Sequence, residues 1–321
     1  MSDLEREKIG KGRVFLLVLC VIVFLFSASL IIKHFVEVND NKNSYKDLSN
    51  LISTSTTENT DYVIDEKNDV PDYSALLEQN SDFVGWVKVP NTEINHPVVR
   101  YTDNDYYLNH NFEKKYDYRG AIFMDYRNNH TEIDSNTIIY GHNCYDTTMF
   151  SDLDKYDDIE FYKQSPVIEF NTLDANYKWK IYGVFITTAE EDEDNGYVFN
   201  YIYPYMDGEN FNGFIDEVNK RRLYVTDVDI NDDDKMLVLS TCVRTLDYKY
   251  KDENGKTQKY RADGRIVILA RMVRAGESEY VDVEKAYKNK NPKYPQLWYD
   301  NKGIENPYKN DEKWYPQEVV K

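Results

Sequence analysis

Three side chains that together could carry out acyl transfer stand at the ends of apolar segments. Cys242 closes the run Met236–Cys242, and His142 closes the run Thr137–His142. Arg265 opens a third apolar run. Strand ends on a rigid sheet can hold reactive groups within the narrow tolerance that chemistry needs. The sequence therefore predicts a site in which a thiol, an imidazole and a guanidinium converge.

A cysteine, a histidine and an arginine form a coherent set for attack on an amide. A free thiol is mostly protonated at neutral pH, so an imidazole that accepts its proton turns it into a working nucleophile. A guanidinium can stabilise the charge that develops on the carbonyl oxygen, and the imidazolium can protonate the departing amine. Each residue also has an ordinary structural explanation, because free cysteines are often buried apolar residues and arginines often pair with acids.

The segments around these residues resemble, in order and context, the three motifs of the sortases, and of class B sortases in particular. The motif segments are 139–143 (IYGHN), 239–242 (LSTC) and 265–267 (RIV). Four further segments are similar to the same family, namely 82–89, 95–99, 106–110 and 120–125. The resemblance covers residues 76–273, which is a normal size for one domain.

The resemblance implies a membrane-anchored cysteine transpeptidase. Such an enzyme cleaves a C-terminal sorting-signal pentapeptide of exported proteins through a thioacyl intermediate and joins the protein to an amino group of a peptidoglycan precursor. By this resemblance Cys242 is the nucleophile, His142 the general acid and base, and Arg265 the group that stabilises the oxyanion or holds the substrate backbone. The backbone N–H of Val243 is a further candidate for the oxyanion hole. No cofactor and no metal is implied.

Two other functions stay open. The segment Ser240–Arg244 faintly resembles the signature of L,D-transpeptidases, which are also wall enzymes, although the His-Gly that precedes their cysteine is missing here. The second is an exported scaffold that binds sorting signals without turning them over. A covalent adduct on Cys242 would exclude the scaffold.

Strand-like segments with few helices between them predict a mainly β fold. The predicted strands are 84–89, 97–100, 121–125, 137–142, 167–171, 179–187, 236–242 and 265–272. Their spacing favours a closed barrel or a sandwich, and periodicity alone does not choose between the two. The resemblance implies the closed eight-stranded sortase barrel, with the amphipathic helix 211–220 in the connection before the cysteine strand. Short helices are also predicted around 75–77 and 149–156.

The N-terminal region predicts export and a membrane anchor. Val14–Ile32 is an uncharged apolar run, and at about 1.5 Å per residue it spans a hydrocarbon core of roughly 30 Å. Basic residues precede it, so the positive-inside rule puts the N-terminus in the cytoplasm and the catalytic domain outside the cell membrane. A cleaved signal peptide is the alternative, since 27–29 (SAS) is an acceptable cleavage site. The net charge of −18 argues against nucleic-acid binding.

We expect four regions along the chain. Residues 1–35 form the cytoplasmic N-terminus and anchor, 36–72 an extracellular linker, 73–273 the catalytic barrel, and 274–321 a C-terminal extension of unknown role. The linker is rich in Asn, Ser, Thr and Asp, a composition that rarely packs and allows at most a short helical turn. The extension is rich in aromatic residues. We expect it to pack on the barrel exterior, with binding of cell-wall glycan as the alternative.

Three cysteines in an exported chain imply no disulfide framework. Cys144 lies two residues past His142, where an incidental loop position competes with a reversible disulfide to Cys242. The acidic runs Glu190–Asp194 and Asp229–Asp234 lack the spacing of a calcium loop, so solvated loops are the preferred interpretation.

The insertion 243–264 is longer than the linker usual in class B sortases. Its segment Tyr248–Lys256 has the pattern of a hairpin tip with Asn-Gly at the turn. We expect the insertion to project beside the active site and to shape substrate access. It also leaves Arg244 and Arg261 as competitors of Arg265, which is preferred because it opens the apolar strand.

Overall fold

The computed structural model describes residues 11–52, 70–206 and 208–317. The chain divides into two compact units, Met1–Asp47 and Leu48–Lys321. The strands of the larger unit are β1 (Phe83–Lys88), β2 (Asn95–Val99), β3 (Ile122–Met124), β4 (Asn136–Tyr140), β5 (Val167–Thr172), β6 (Lys178–Thr188), β7 (Tyr224–Val225), β8 (Met236–Cys242), β9 (Tyr248–Lys251), β10 (Thr257–Tyr260), β11 (Gly264–Met272) and β12 (Tyr287–Lys288).

Eight of these strands close into a barrel in the order β1-β2-β3-β4-β8-β11-β6-β5. Neighbours are antiparallel except for the parallel pairs β2–β3 and β4–β8. All eight predicted strands are present with ends shifted by no more than a few residues, and the closed mainly β barrel is confirmed. Two small sheets stand outside it, β9 with β10 and β7 with β12.

The two faces of the barrel strands bury different sets of side chains. Side chains that alternate along β4, β8 and β11 are fully buried in the interior: Ile139, Leu237, Leu239, Ile266 and Ile268. The opposite face packs against an aromatic cluster that includes α4 (Glu209–Arg221): Ile138, Val238, Val267 and Leu269. An eight-stranded barrel has room inside only for its own side chains, so α4 lies outside.

The helices of the larger unit are short apart from α4. They are α2 (Ser74–Gln79), α3 (Ile159–Gln164) and α5 (Gln296–Lys302), with a 3-10 turn at Ser151–Asp157. The predicted apolar face of α4 is confirmed, since Phe211, Phe214, Ile215 and Val218 are all buried. Each such side chain contributes about 1.5–3 kcal/mol through burial. The helix predicted at 149–156 is present as the 3-10 turn, with its ends shifted by one or two residues.

The N-terminal helix α1 (Lys11–Asn50) contains the predicted apolar run and is long and apolar enough to cross a membrane. It also continues through residues 38–50, where composition predicted an unpacked linker. The prediction of at most a short helical turn was wrong there. Adding residues to an existing helix costs far less than starting one, so weak helix formers follow a strong apolar segment. The rest of the predicted linker, residues 53–69, lies outside the described residues.

The acidic runs are only partly solvated. Glu193 is buried and its carboxylate accepts hydrogen bonds from the Tyr260 hydroxyl and the Asp263 backbone N–H, so a solvated loop was the wrong prediction for this residue. Asp234 is buried and pairs with Arg274. Among the residues that the structure describes, no group of three or more His, Cys, Asp or Glu could hold a metal ion.

Candidate active site

Strand register brings the three predicted residues to one end of the barrel. Arg265 on β11 stands directly opposite Cys242 on β8. Opposed residues of an antiparallel pair have Cα atoms about 4.5–5.5 Å apart and side chains on the same face. On the other side of β8, the last paired residues of β4 and β8 are Tyr140 and Ser240. His142 and Cys242 each lie two residues beyond that pair.

Three hydrogen bonds hold the chain after β4 against the end of β8. The Gly141 N–H donates to the Ser240 carbonyl at 3.3 Å, and the Thr241 hydroxyl donates to the Gly141 carbonyl at 2.7 Å. The Asn143 side-chain amide then donates to the Cys242 carbonyl at 2.9 Å. The residues on both sides of His142 are thus tied to the cysteine strand.

The imidazole of His142 is oriented by a backbone carbonyl. Its Nε2 lies 2.8 Å from the carbonyl oxygen of Leu108. A carbonyl can only accept, so this contact requires the proton on Nε2 and leaves Nδ1 as the nitrogen that can exchange a proton. Burial of the loop after β2 holds the acceptor in place, because Tyr107 is almost fully buried.

Arg265 is held at one nitrogen and open at the others. Its Nη1 donates to the Asp263 carboxylate and, at 3.2 Å, to the Gly264 carbonyl. Within the described part of the chain its Nε and Nη2 have no hydrogen-bond partner, and 22% of the side chain is exposed. Burial alone would lower the pKa of Arg265, but Asp263 and the nearby Cys242 outweigh it and raise that pKa. The guanidinium is therefore a fixed cation with free donors.

The competing arginines stand elsewhere on the insertion. Arg261 donates through Nη1 to the Tyr145 hydroxyl at 2.9 Å. Arg244 lies past the end of β8, and neither residue is paired with Cys242 in the sheet. The register therefore favours Arg265 over both.

One expected donor is already in use. The Val243 N–H donates to the Gly264 carbonyl at 2.9 Å, so its assignment to an oxyanion hole was wrong. The physical reason is that hydrogen bonding between β8 and β11 continues one residue beyond the cysteine.

A buried tyrosine, Tyr201, is hydrogen-bonded to the cysteine strand. The Tyr201 hydroxyl lies 2.8 Å from the hydroxyl of Ser240, which is two residues before Cys242 on the same strand face. Tyr201 is buried, and burial raises the pKa of its phenol.

Comparison with known proteins identifies the chain. A sortase domain model matches residues 87–273. The chain belongs to the sortase family. Sortase B of Listeria monocytogenes is 33% identical over 254 residues, which cover 78% of this chain and 92% of that protein.

Two solved structures of class B sortases have the same fold. The structure of sortase B from Bacillus anthracis in complex with AAEK1 has a TM-score of 0.58 and 29% identity, covering 75% of this chain and 99% of that one. The Staphylococcus aureus sortase B–substrate complex has a TM-score of 0.53 and 31% identity, covering 64% and 85%. This sortase is accordingly a member of class B and, like its relatives, a cysteine transpeptidase.

A second cysteine of this sortase, Cys144, differs from Cys242 in its surroundings. Cys144 is buried, whereas Cys242 is partly exposed, and all three cysteines are free thiols. Burial raises the pKa of Cys144 to about 11, which keeps it protonated and weakly nucleophilic at neutral pH. An incidental structural position for Cys144 gains support, and the reversible disulfide stays a prediction.

Several groups around the site were not predicted. They are the Leu108 carbonyl, the Asn143 amide, the Asp263 carboxylate and the Tyr201 hydroxyl. Asn143 and Asp263 could have been proposed because each lies within two residues of a predicted site residue. Leu108 and Tyr201 come from distant loops, and no periodic pattern marks a loop residue that will reach the end of a strand.

Proposed function

We propose that this sortase cleaves a C-terminal sorting signal of exported proteins and joins them to a cell-wall amino group, with Cys242, His142 and Arg265 as its catalytic residues. The observation that carries the proposal is the register at the barrel end. Arg265 is paired with Cys242 across one edge of β8, and His142 lies two residues past the last pair across the other edge.

The first half-reaction forms the thioacyl enzyme. His142 takes the proton of the Cys242 thiol at Nδ1 as the sulfur attacks the threonine carbonyl of the sorting pentapeptide, and the carbonyl oxygen takes up negative charge. The unpaired N–H groups of Arg265 stabilise that oxyanion in place of the engaged Val243 N–H. His142 delivers a proton from Nδ1 to the leaving nitrogen, so the C–N bond breaks and a thioester remains.

The second half-reaction transfers the acyl group. An amine of a peptidoglycan precursor attacks the thioester and gives a proton to His142. The C–S bond breaks, and the imidazolium returns that proton to the sulfur, which leaves as the Cys242 thiol. Because the incoming amine occupies the place of the departed one, the same imidazole serves both steps. The Leu108 carbonyl stabilises the imidazolium and keeps the ring in one orientation throughout.

The N-terminal region sets the proposed location. Residues 1–35 anchor the chain in the cell membrane with the N-terminus in the cytoplasm, and residues 36–72 link the anchor to an extracellular catalytic region, 73–273. The apolar helix α1 supports an anchor by length and composition. Exported proteins with a sorting signal and the wall amine are the partners, in keeping with the substrate complex of the Staphylococcus aureus relative.

The competing functions are weakened to different extents. Membership of the sortase family favours the sorting reaction over peptidoglycan cross-linking of the L,D-transpeptidase type. A non-catalytic scaffold would need no exposed thiol, and Cys242 is partly exposed beside a cation with free donors.

The experiment uses the full-length chain in detergent with a library of quenched fluorescent sorting pentapeptides, with and without hydroxylamine. We expect cleavage by the wild type, hydroxamate formation, and a thioacyl adduct on Cys242 by mass spectrometry. Cys242→Ala should lower turnover by at least about 10³-fold. Cys144→Ala is the matched control and should keep nearly full activity. Turnover that survives in Cys242→Ala would exclude the mechanism.

A further inference from the structure

The C-terminal tail, residues 274–317, makes many of its contacts with one segment, the β6–α4 connection (residues 189–208). The Lys313 ammonium donates to the Asn195 carbonyl at 2.8 Å. The Tyr197 hydroxyl donates to the Trp314 carbonyl at 2.9 Å, and the Tyr203 hydroxyl donates to the Gln317 carbonyl at 3.2 Å. The match to the sortase domain ends at residue 273, so the tail lies beyond it.

The indole of Trp314 is the apolar centre of this contact. Its ring centroid lies 5.9 Å from that of Phe199 and 6.0 Å from that of Phe214. The indole rests on α4 at Gly213, where any Cβ would overlap the ring. Because Gly213 has no side chain, it leaves a space on the helix that fixes the position of the indole. Burial of the ring adds to the stability of the contact.

The end of the tail is also fixed by paired hydrogen bonds. The Asn210 side-chain amide donates to the Gln317 carbonyl at 3.0 Å, and the Gln317 N–H donates to the Asn210 side-chain oxygen at 2.6 Å. Asn210 is buried in the first turn of α4. The tail therefore reaches both ends of the stretch from Asn195 to Asn210.

The other side of the same connection faces the active site. Phe199 contacts Tyr201 with ring centroids 6.4 Å apart, and Tyr201 bonds Ser240 two residues before Cys242. A continuous set of contacts therefore runs from Trp314 through Phe199 and Tyr201 to the cysteine strand. The catalytic side chains themselves belong to β8, β11 and the chain after β4. The tail contacts β11 through the pair of Glu277 with Arg271, at the end of that strand away from Arg265.

A buried ionic cluster fixes the tail to α4 independently of Trp314. The Glu217 carboxylate pairs with Arg221 on the same helix and with Lys293 of the tail, at 3.2 Å for the latter. The Arg221 guanidinium in turn lies 4.4 Å from the ring centroid of Phe199. Removing the Trp314 ring would therefore loosen the β6–α4 connection while most of the tail stays attached.

We propose that the tail is a strap that fixes the β6–α4 connection as one wall of the sorting-peptide site, with Trp314 as its main positioning residue. The inference rests on the proposed function and adds a part to it. Trp314 touches neither the substrate nor the reacting atoms. It acts by holding the buried Phe199 and Tyr201 in place, so that the exposed side of the connection keeps the conformation that the peptide meets.

Such a role predicts a specific kinetic signature. A wall that contacts the peptide equally before and during the reaction contributes uniform binding, and its loss raises KM with little change in kcat. The reactivity of the Cys242 thiol toward a small reagent should also be unaffected, because the Leu108, Asn143 and Asp263 contacts remain. A purely structural residue would instead lower the active fraction, and kcat would fall with it.

The test compares variants of the full-length chain in detergent, using the library peptide that the wild type cleaves fastest. For Trp314→Ala we expect KM to rise about tenfold, as remote residues that set a binding conformation commonly do. We expect kcat and the rate of Cys242 modification by a small methanethiosulfonate to stay within about twofold. Trp314→Phe keeps a ring against Phe199 and should restore most of the loss.

The matched control is Trp298→Ala. Trp298 is in the same tail and stacks on Tyr294 with centroids 4.1 Å apart. It has no ring contact with the described residues of the β6–α4 connection. Its replacement should leave KM within about twofold. Tyr197→Phe, which removes one bond to the strap without touching the core, should raise KM in the same direction as Trp314→Ala but less.

Three results would overturn the inference. If the wild type is active and Trp314→Ala has the same KM as the wild type, the strap is excluded but the proposed function is not. A parallel loss of kcat and thiol modification in that variant would reduce Trp314 to a stability role. A wild type that cleaves no peptide would overturn the proposed function and the strap with it.

Discussion

Two additions to the barrel, the hairpin β9–β10 and the C-terminal tail, are attached in opposite ways. The hairpin β9–β10 carries Lys249, Lys251 and Lys256, which form no ion pair within the residues that the structure describes. In the tail, Lys293 pairs with the buried Glu217 and the half-buried Asp311, and Lys285 pairs with Asp227.

The tail is packed into the fold, whereas the hairpin is largely exposed. The hairpin contacts the rest of the chain mainly at its base, through Tyr260 to Glu193, Arg261 to Tyr145 and Lys259 to Asp247. A two-stranded hairpin in water is marginally stable by itself. The tail instead adds a strand to β7 and fills the cluster around α4. Changes at the buried positions of the tail should therefore alter stability, and changes in the hairpin should alter it much less.

The largest effect is expected at Glu217. Glu217→Gln removes the negative charge that Arg221 and Lys293 share in a buried position. Leaving buried cations unpaired costs about 3 kcal/mol or more. Urea unfolding followed by tryptophan fluorescence should show this loss in the free energy of unfolding.

The control for Glu217 lies in the same tail. Glu305 pairs with Lys309 on the exposed surface, and a surface pair contributes less than about 1 kcal/mol. Glu305→Gln should therefore be nearly neutral. Equal effects of the two substitutions would contradict the view that the tail is fixed by its buried cluster.

The same carboxylate predicts a pH dependence. Burial by itself raises the pKa of Glu217, but Arg221 and Lys293 outweigh it, so the pKa in the folded chain lies below the ordinary value of 4.5. A lowered pKa stabilises the fold above the unfolded value, and this contribution disappears as the pH falls through the folded value. The difference in unfolding free energy between wild type and Glu217→Gln should therefore be full at pH 6 and shrink below about pH 4.5.

Unfolding series at several pH values measure that difference directly. The comparison with Glu217→Gln cancels the other acidic groups, such as Glu277, whose pKa is also lowered by Arg271. A difference that stays constant down to pH 3 would mean that Glu217 is not the acid-sensitive link of the tail.

A smaller effect is expected at Gly213, where helix propensity and side-chain packing act in opposite directions. Alanine in place of a helical glycine usually stabilises by about 1 kcal/mol. Here the new Cβ would overlap the Trp314 indole, and overpacking costs roughly 1–3 kcal/mol. We therefore expect Gly213→Ala to lose about 1 kcal/mol in net stability and to expose the end of the tail to proteases.

Asn212 provides the matched control, because it is the exposed neighbour on the same helix. Asn212→Ala adds a better helix former without a clash and should gain a few tenths of a kcal/mol. A similar gain in the free energy of unfolding for Gly213→Ala would show that the Trp314 indole does not pack tightly against Gly213.

The barrel and the catalytic strand ends could be predicted because their signals are local. Apolar runs marked all eight barrel strands, and the residues at their ends followed from the same runs. Cys242 and Arg265 end and begin strands joined by one connection, so their pairing needs no long-range information. The closure of the barrel was predicted from the family resemblance, because periodicity does not distinguish a closed barrel from a sandwich.

The contacts that complete the site could not be predicted because they depend on loops and on the tail. The Leu108 carbonyl reaches His142 from a loop 34 residues earlier in the chain. The Trp314 ring meets Gly213 across about a hundred residues, and neither residue belongs to a pattern that indicates the contact. The Val243 error has the same origin, since the length of a hydrogen-bonded ladder beyond a strand end is set by packing.

The smallest expected effect is at the hairpin, where it also tests the comparison most finely. Lys249 stands directly opposite Lys259, and like charges in that position destabilise a strand pair. Lys249→Glu converts the pair to an attractive one and should gain about 0.2–0.5 kcal/mol. Lys251→Glu, which faces Thr257, is the control and should change the unfolding free energy less. A loss above about 1 kcal/mol in Lys249→Glu would place the hairpin with the tail, as an addition on which the fold depends.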